Sequence, residues 1–79
     1  MEKVNLSQKA KDIKMGIYEH YKGNIYQLVG VGFDSETLQE VVIYQAKYGN
    51  NDLWTRPIDE FLGSVEINGK IVSRFKYLN

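Results

Sequence analysis

Ile25-Tyr26-Gln27-Leu28-Val29-Gly30-Val31-Gly32-Phe33 is the stretch on which the fold turns. β-Branched and aromatic side chains make it a strand, and two glycines in nine residues weigh against a helix. Its apolar side chains begin on the even face (Tyr26, Leu28) and move to the odd face (Val29, Val31, Phe33), with Gly30 and Gly32 free to form a bulge or sharp bend. A strand that changes face midway must bend, and a bent strand suits a small rolled sheet.

Reading outward, Ile17 to Tyr21 is a short aromatic strand closed by a turn at Lys22-Gly23-Asn24. Further upstream, Asn5 and Gln8 are spaced as a capping box, and Leu6, Ala10 and Ile13 follow at i, i+4 and i+7. Gly16 stands where a glycine would end a helix. These features predict an amphipathic helix from Leu6 to Met15. A stripe of three apolar residues is weak in water, so residues 1–15 are expected to be a helical or partly disordered extension, with the domain spanning 16–79.

Downstream, Glu40 to Tyr48 contains Val41-Val42-Ile43-Tyr44, apolar on both faces as a central strand requires. Gly49-Asn50-Asn51-Asp52 is a turn leading to a strand from Leu53 to Arg56. Pro57 stops that ladder and suits the first position of one helical turn, with Asp59 and Glu60 near the positive dipole end and Gly63 closing it. In the last hairpin a two-residue turn at Asn68-Gly69 would turn Ile71 and Phe75 away from Val65 and Ile67. A bulged turn with Glu66 opposite Lys70 and Val65 opposite Ile71 keeps them on one face, and is therefore expected. The chain reads as mainly β: a small SH3-like antiparallel barrel or roll with a short N-terminal helix and one helical turn after Pro57.

Size limits the core. A 9.1 kDa chain of 79 residues buries about 63% of its extended surface. Its six Tyr, three Phe and one Trp must supply much of the packing. The absence of Cys excludes a disulfide scaffold, a zinc ribbon, an iron–sulfur centre and a thiol nucleophile. Ten basic and ten acidic residues cancel, which disfavours non-specific nucleic-acid binding. No apolar run approaches the ~18 residues of a membrane span, and the first residues do not lead into a signal-peptide core, so a cytoplasmic location with no membrane partner is expected.

His20-Tyr21-Lys22-Gly23, Asp34-Ser35-Glu36-Thr37, Val41-Val42-Ile43-Tyr44, Tyr48-Gly49, Trp54-Thr55-Arg56-Pro57 and Arg74-Phe75 occur in this order and spacing. Over residues 16–75 this set resembles the bacterial family known as domain of unknown function 1653. The resemblance implies an SH3-like β-barrel or roll and no established activity. The chain departs from the family pattern at Asp34, where a His is usual, at Gln45, where an Arg is usual, and at Glu60, where a Met is more common. A family site that used the first of these as a base or ligand would be missing here.

Several side chains are candidates for chemistry. His20 is the only imidazole, and Tyr18, Tyr21 and Lys22 surround it in sequence. As a base it would need an orienting acid, yet Glu19 falls on the opposite face of the strand. Asp34, Ser35 and Glu36 offer oxygen ligands without the spacing or glycine of a calcium loop, and Asx or Ser/Thr turns account for them. A capping box from Thr37 to Glu40 would do so too. Trp54 and Arg56 share a strand face. They form either a stacking platform with an anion clamp, or a core Trp beside an Arg paired to Glu36, Asp59 or Glu60. Six tyrosines exceed what so small an interior encloses, so some are expected at the surface.

Gly63 to Gly69-Lys70 lacks the spacing and the Ser or Thr of a phosphate loop. No catalytic constellation or cofactor motif is recognisable. The expected function is a non-catalytic binding module whose face carries Tyr18, His20, Tyr21, Tyr44, Trp54 and Arg56, with Asp34, Ser35 and Glu36 contributing. Its partner would be a peptide, a nucleotide or, less favoured by charge, a nucleic acid. The alternative is a structural or self-associating domain that uses an exposed strand edge.

Overall fold

The computed structural model describes residues 5–79. The chain runs α1 (Gln8–Asp12), β1 (Gly16–His20), β2 (Ile25–Phe33), β3 (Glu40–Ala46), β4 (Leu53–Pro57), α2 (Ile58–Phe61), β5 (Ser64–Ile67), β6 (Lys70–Ser73) and β7 (Phe75–Tyr77). Five strands form one antiparallel sheet in the order β4-β3-β2-β1-β7, and β5 and β6 form a separate two-stranded sheet. The hydrogen-bonded ladder is open, with β4 and β7 as its edges.

The bend lies in β2, as the glycines implied. Leu28 faces Tyr44 while Gly30 faces Ile43, so Val29 is the extra residue of a bulge, and its side chain is 43% exposed. The bulge keeps Tyr26, Leu28, Val31 and Phe33 on one side of the sheet by moving an unpaired residue out of the way. On that side Tyr18, Leu28, Val42, Tyr44 and Phe75 pack with Ala10, Ile58 and Phe61 into a single core. Phe61 is 1% exposed, stacks on Phe75 at a centroid distance of 4.2 Å, and meets Tyr18 edge-on at 5.1 Å.

α1 is shorter than the expected Leu6 to Met15. Ser7, not Asn5, caps it, its Oγ accepting the Ala10 amide at 3.2 Å, and Ile13 already has extended dihedrals. Gly16 is not a helix-ending glycine; it begins β1 at φ +133. The amphipathic spacing itself holds, since Ala10 is in the core and Leu6 and Ile13 pack against it. Residues 1–4 of the expected extension lie outside the described residues.

Polar ties hold α1 down. The Glu40 carboxylate accepts the Ser7 amide at 2.5 Å and the Ser7 hydroxyl at 2.7 Å, and Lys9 pairs with Asp59. Glu40 therefore serves α1 rather than the expected box with Thr37. The Ser7 amide, followed by the Ser7 hydroxyl, holds the Glu40 carboxyl below its ordinary value of 4.5. A carboxylate with a depressed folded pKa stabilises above its unfolded value and loses that contribution as pH falls through the folded one. The Ser7 amide resonance should then titrate below about pH 4.5 and cease to do so in Glu40→Gln. A titration that persists in the variant would refute the link.

Two local expectations change. Pro57 pairs with Val41 as the last residue of β4 and caps α2 instead of opening it, with φ −52 and ψ 139. The hairpin takes the two-residue turn, not the bulged one. Ile67 opposes Lys70, Glu66 opposes Ile71 and Val65 opposes Val72, with Asn68 and Gly69 at φ 50 and 81. The bulged register suits a hairpin that feeds the core. Instead the chain breaks at Arg74, Phe75 enters the other sheet, and the hairpin stands out with Ile71 70% exposed. With little apolar surface to bury, turn chemistry sets the register.

Candidate functional site

The inner face of the five-stranded sheet holds nearly all the candidate residues, because cross-strand partners point the same way. Tyr18 pairs with Tyr26 and Tyr77, His20 with Phe75, Tyr44 with Leu28 and Trp54, and Val42 with Arg56. The helices cover only part of this face. Beneath them Tyr18 and Tyr44 are 5% and 4% exposed, and Tyr18 donates its hydroxyl to the Lys14 carbonyl at 2.6 Å. These two rings are core residues and offer no open surface.

Away from the helices the aromatic packing continues to the surface. His20 lies edge-on to Phe75 at 4.9 Å and tilted against Tyr21 at 4.4 Å. Tyr26 packs on Phe75 at 5.7 Å and on Tyr44 at 5.2 Å, and its hydroxyl meets that of Tyr48 at 2.6 Å. Burial, and then the bond to Tyr48, pushes the Tyr26 phenol up to about 12. Arg56 donates from Nε to Tyr44 Oη at 3.3 Å and from Nη1 to Glu60 Oε1 at 3.2 Å. Of the three acids weighed for Arg56, Glu60 is the one that pairs. The bond to Tyr44 raises the pKa of Arg56 further.

Trp54 does not join the core. It lies on edge strand β4 with 52% of its surface exposed, two residues from Arg56 on the same face. Among the tyrosines Tyr48 and Tyr77 are exposed and Tyr21 and Tyr26 half-buried.

Positive charge gathers near His20. Burial lowers its pKa, and the charges of Arg56, Arg74 and Lys22 lower it further, so the imidazole is neutral at pH 7. Its Nδ1 accepts the Lys22 amide at 3.2 Å, which leaves the ring proton on Nε2. Arg74 is held by its backbone, donating to the Gly63 carbonyl at 3.0 Å and accepting from the Tyr21 amide at 3.0 Å. Its Nε is buried without a hydrogen-bond partner. Beside His20 a groove of about 560 Å³ opens between β1 and β6, lined by Glu19, His20, Tyr21, Val72, Ser73 and Lys76.

Asp34, Ser35 and Glu36 lie elsewhere, beyond the far end of β2. Asp34 accepts the amides of Glu36 at 2.8 Å and Thr37 at 3.0 Å, as an Asx turn does. The Thr37 amide and then the Glu36 amide hold its carboxyl below the ordinary range. Among the described residues no group of three or more His, Cys, Asp or Glu is placed to hold a metal ion, and no helix is long and apolar enough to cross a membrane.

The structure thus brings His20, Tyr21, Tyr44 and Arg56 together with Trp54 beside them, and separates the Asp34 loop. Sequence reading missed Arg74 and Tyr26 as site members. Arg74 sits at a strand break where periodicity carries no signal, and Tyr26 looked like one tyrosine of six.

The sequence model of a family described as "Protein of unknown function (DUF1653)" matches residues 16–77. The crystal structure of a protein of that family from Bordetella bronchiseptica superimposes with a TM-score of 0.79 at 30% identity, over 87% of this chain and 91% of the other. No curated protein matches the chain.

Proposed function

Because the chain belongs to the DUF1653 family, whose description assigns no activity, the function has to be argued from the site, and we propose a non-catalytic binding module on an SH3-like roll. Its site is the uncovered part of the inner sheet face, where Trp54 and Arg56 lie on one side of the aromatic cluster and His20 and Tyr21 on the other. The observation that carries this reading is Trp54. A chain with one Trp and a core short of apolar area leaves that residue 52% exposed beside an arginine already oriented by Tyr44 and Glu60. Rigid aromatic surface next to an oriented guanidinium suits a planar or extended ligand with a polar end. Catalysis finds less support, since among the described residues no carboxylate is hydrogen-bonded to His20 to make it a base.

The test is a resonance-resolved titration of the whole chain with short peptides, nucleotides and oligonucleotides. The side-chain signals of Trp54, Arg56 and His20 should move with at least one class. If none of them responds to any member of the panel, the proposal is wrong.

A further inference from the structure

We propose that the free edge of β6 takes up an extended, acid-bearing peptide of another protein as an added strand, on a surface distinct from the face that carries Trp54 and Arg56. The geometry arises at Arg74, which joins β6 to β7. Its amide donates to the Gly63 carbonyl at 3.0 Å, on the side of β5, and its carbonyl accepts the Tyr21 amide at 3.0 Å, on the side of β1. The strand thus has β5 along one edge before Arg74 and β1 along the other edge after it. β1 extends no further, because the chain turns at Lys22-Gly23-Asn24, where Gly23 donates to the His20 carbonyl at 2.7 Å, and enters β2. The place beside β6 in line with β1 is left open. The groove of about 560 Å³ lies there, lined by Glu19, His20 and Tyr21 at the end of β1, Val72 and Ser73 of β6, and Lys76 of β7.

That edge is ready to pair. In a two-residue hairpin the residues flanking the turn, Ile67 and Lys70, form a hydrogen-bonded pair, so Val65 with Val72 and Gly63 with Arg74 do so as well. Ile71 and Ser73 then turn their N–H and C=O groups away from β5. Among the described residues no other strand pairs with them, and all four residues of β6 are exposed. The edge of β4, in contrast, ends in Pro57, which has no N–H to offer. Charge selects the occupant. Residues 67–79 hold Lys70, Arg74 and Lys76 and no acid. Two antiparallel copies of this edge paired about Val72 would set each Lys70 opposite an Arg74, which disfavours a second copy. Glu66 faces Ile71 instead of Lys70, and among the described residues Lys70 makes no ion pair. A peptide antiparallel to β6, as β1 is to β7, fits best with an apolar residue opposite Val72, another opposite Ile71 and a carboxylate opposite Lys70.

The experiment titrates the whole chain with the end-capped peptide Thr-Val-Ile-Glu, whose residues in order meet Ser73, Val72, Ile71 and Lys70. The Ile71 and Ser73 amides should shift and exchange more slowly. N-methylation of the peptide isoleucine, whose N–H faces β6, should weaken binding about tenfold, whereas N-methylation of its valine, whose N–H faces away, should cost less than about threefold. Lysine in place of the peptide glutamate should weaken binding about threefold, and Lys70→Glu should reverse that preference. Ile71→Pro removes one outward N–H while sparing the ladder to β5 and should weaken binding about tenfold, with unchanged resonances in β1 to β4 showing that the fold is kept. Equal sensitivity to the two N-methyl groups, or shifts confined to Trp54 and Arg56, overturns the inference, and the second of these leaves the binding face proposed above standing. A concentration-dependent dimer abolished by Ile71→Pro overturns it too, by making a second copy the occupant.

Discussion

Phe61→Ala is expected to lower stability by about 3–5 kcal/mol, the cost of emptying a fully enclosed aromatic site. Phe61 is 1% exposed and is the point where α2 meets the sheet, touching Phe75, Tyr18 and Tyr44 at centroid distances of 4.2, 5.1 and 5.5 Å. The rings around it are anchored by hydrogen bonds, Tyr18 to Lys14 and Tyr44 to Arg56, so they cannot close the cavity freely. A domain of this length has about 4–12 kcal/mol in all. The variant should therefore melt about 15–30 °C lower or fail to fold, whereas Phe61→Leu should lose much less. A melting temperature within about 5 °C of the parent would mean that α2 is not the lid of the core.

The second large effect is at Gly16. Its φ of +133 is open only to glycine, and a Cβ there would run into the Asn79 carbonyl, with the Tyr77 ring at 3.3 Å. That carbonyl accepts the Ile17 amide at 2.9 Å, and Leu78 donates to the Ile17 carbonyl at 2.8 Å, so β7 is laced to β1 at this point. Gly16→Ala adds about 1–3 kcal/mol of backbone strain and dislodges part of that pairing. The expected result is a loss of about 2–4 kcal/mol in denaturant unfolding, with faster amide exchange at Ile17 and Leu78 in particular. Exchange that accelerates evenly along the chain, or a loss under about 1 kcal/mol, would show that β7 is held by the core alone.

These two positions differ in how far they could be read from sequence. Phe61 ends the helical turn expected after Pro57, so its local conformation was legible, while its enclosure comes from the Phe75, Tyr18 and Tyr44 rings of the sheet. Gly16 looked like the end of the helix before it. Only its neighbour across the sheet, 63 residues later in the chain, explains why no side chain fits there.

The candidate site divides in the same way. Strand alternation was enough to put Trp54 and Arg56 on one face and to separate His20 from Glu19. It could not say that Tyr44 would be buried and Trp54 left open. Both occupy the same row of the sheet, and the difference is that Phe61 of α2 packs on the Tyr44 ring while Trp54 is left 52% exposed. Arg74 was invisible for a related reason. Its importance arises from four segments meeting: Gly63 and Tyr21 hold its backbone, and Lys22 and Arg56 place further charge around the same imidazole.

By itself, then, the sequence determined what depends on short-range geometry. It specified β2 to the residue, the bend that its glycines permit, the Asx turn at Asp34 and the apolar stripe of α1, since each follows from side-chain period or backbone freedom within a few residues. The tertiary structure alone decided the hairpin register, the exposure of Trp54 and the gathering of Arg56, Arg74 and Lys22 around His20. Those outcomes depend on which surfaces remain uncovered once a small core is filled, and that is settled by packing between segments far apart in the chain.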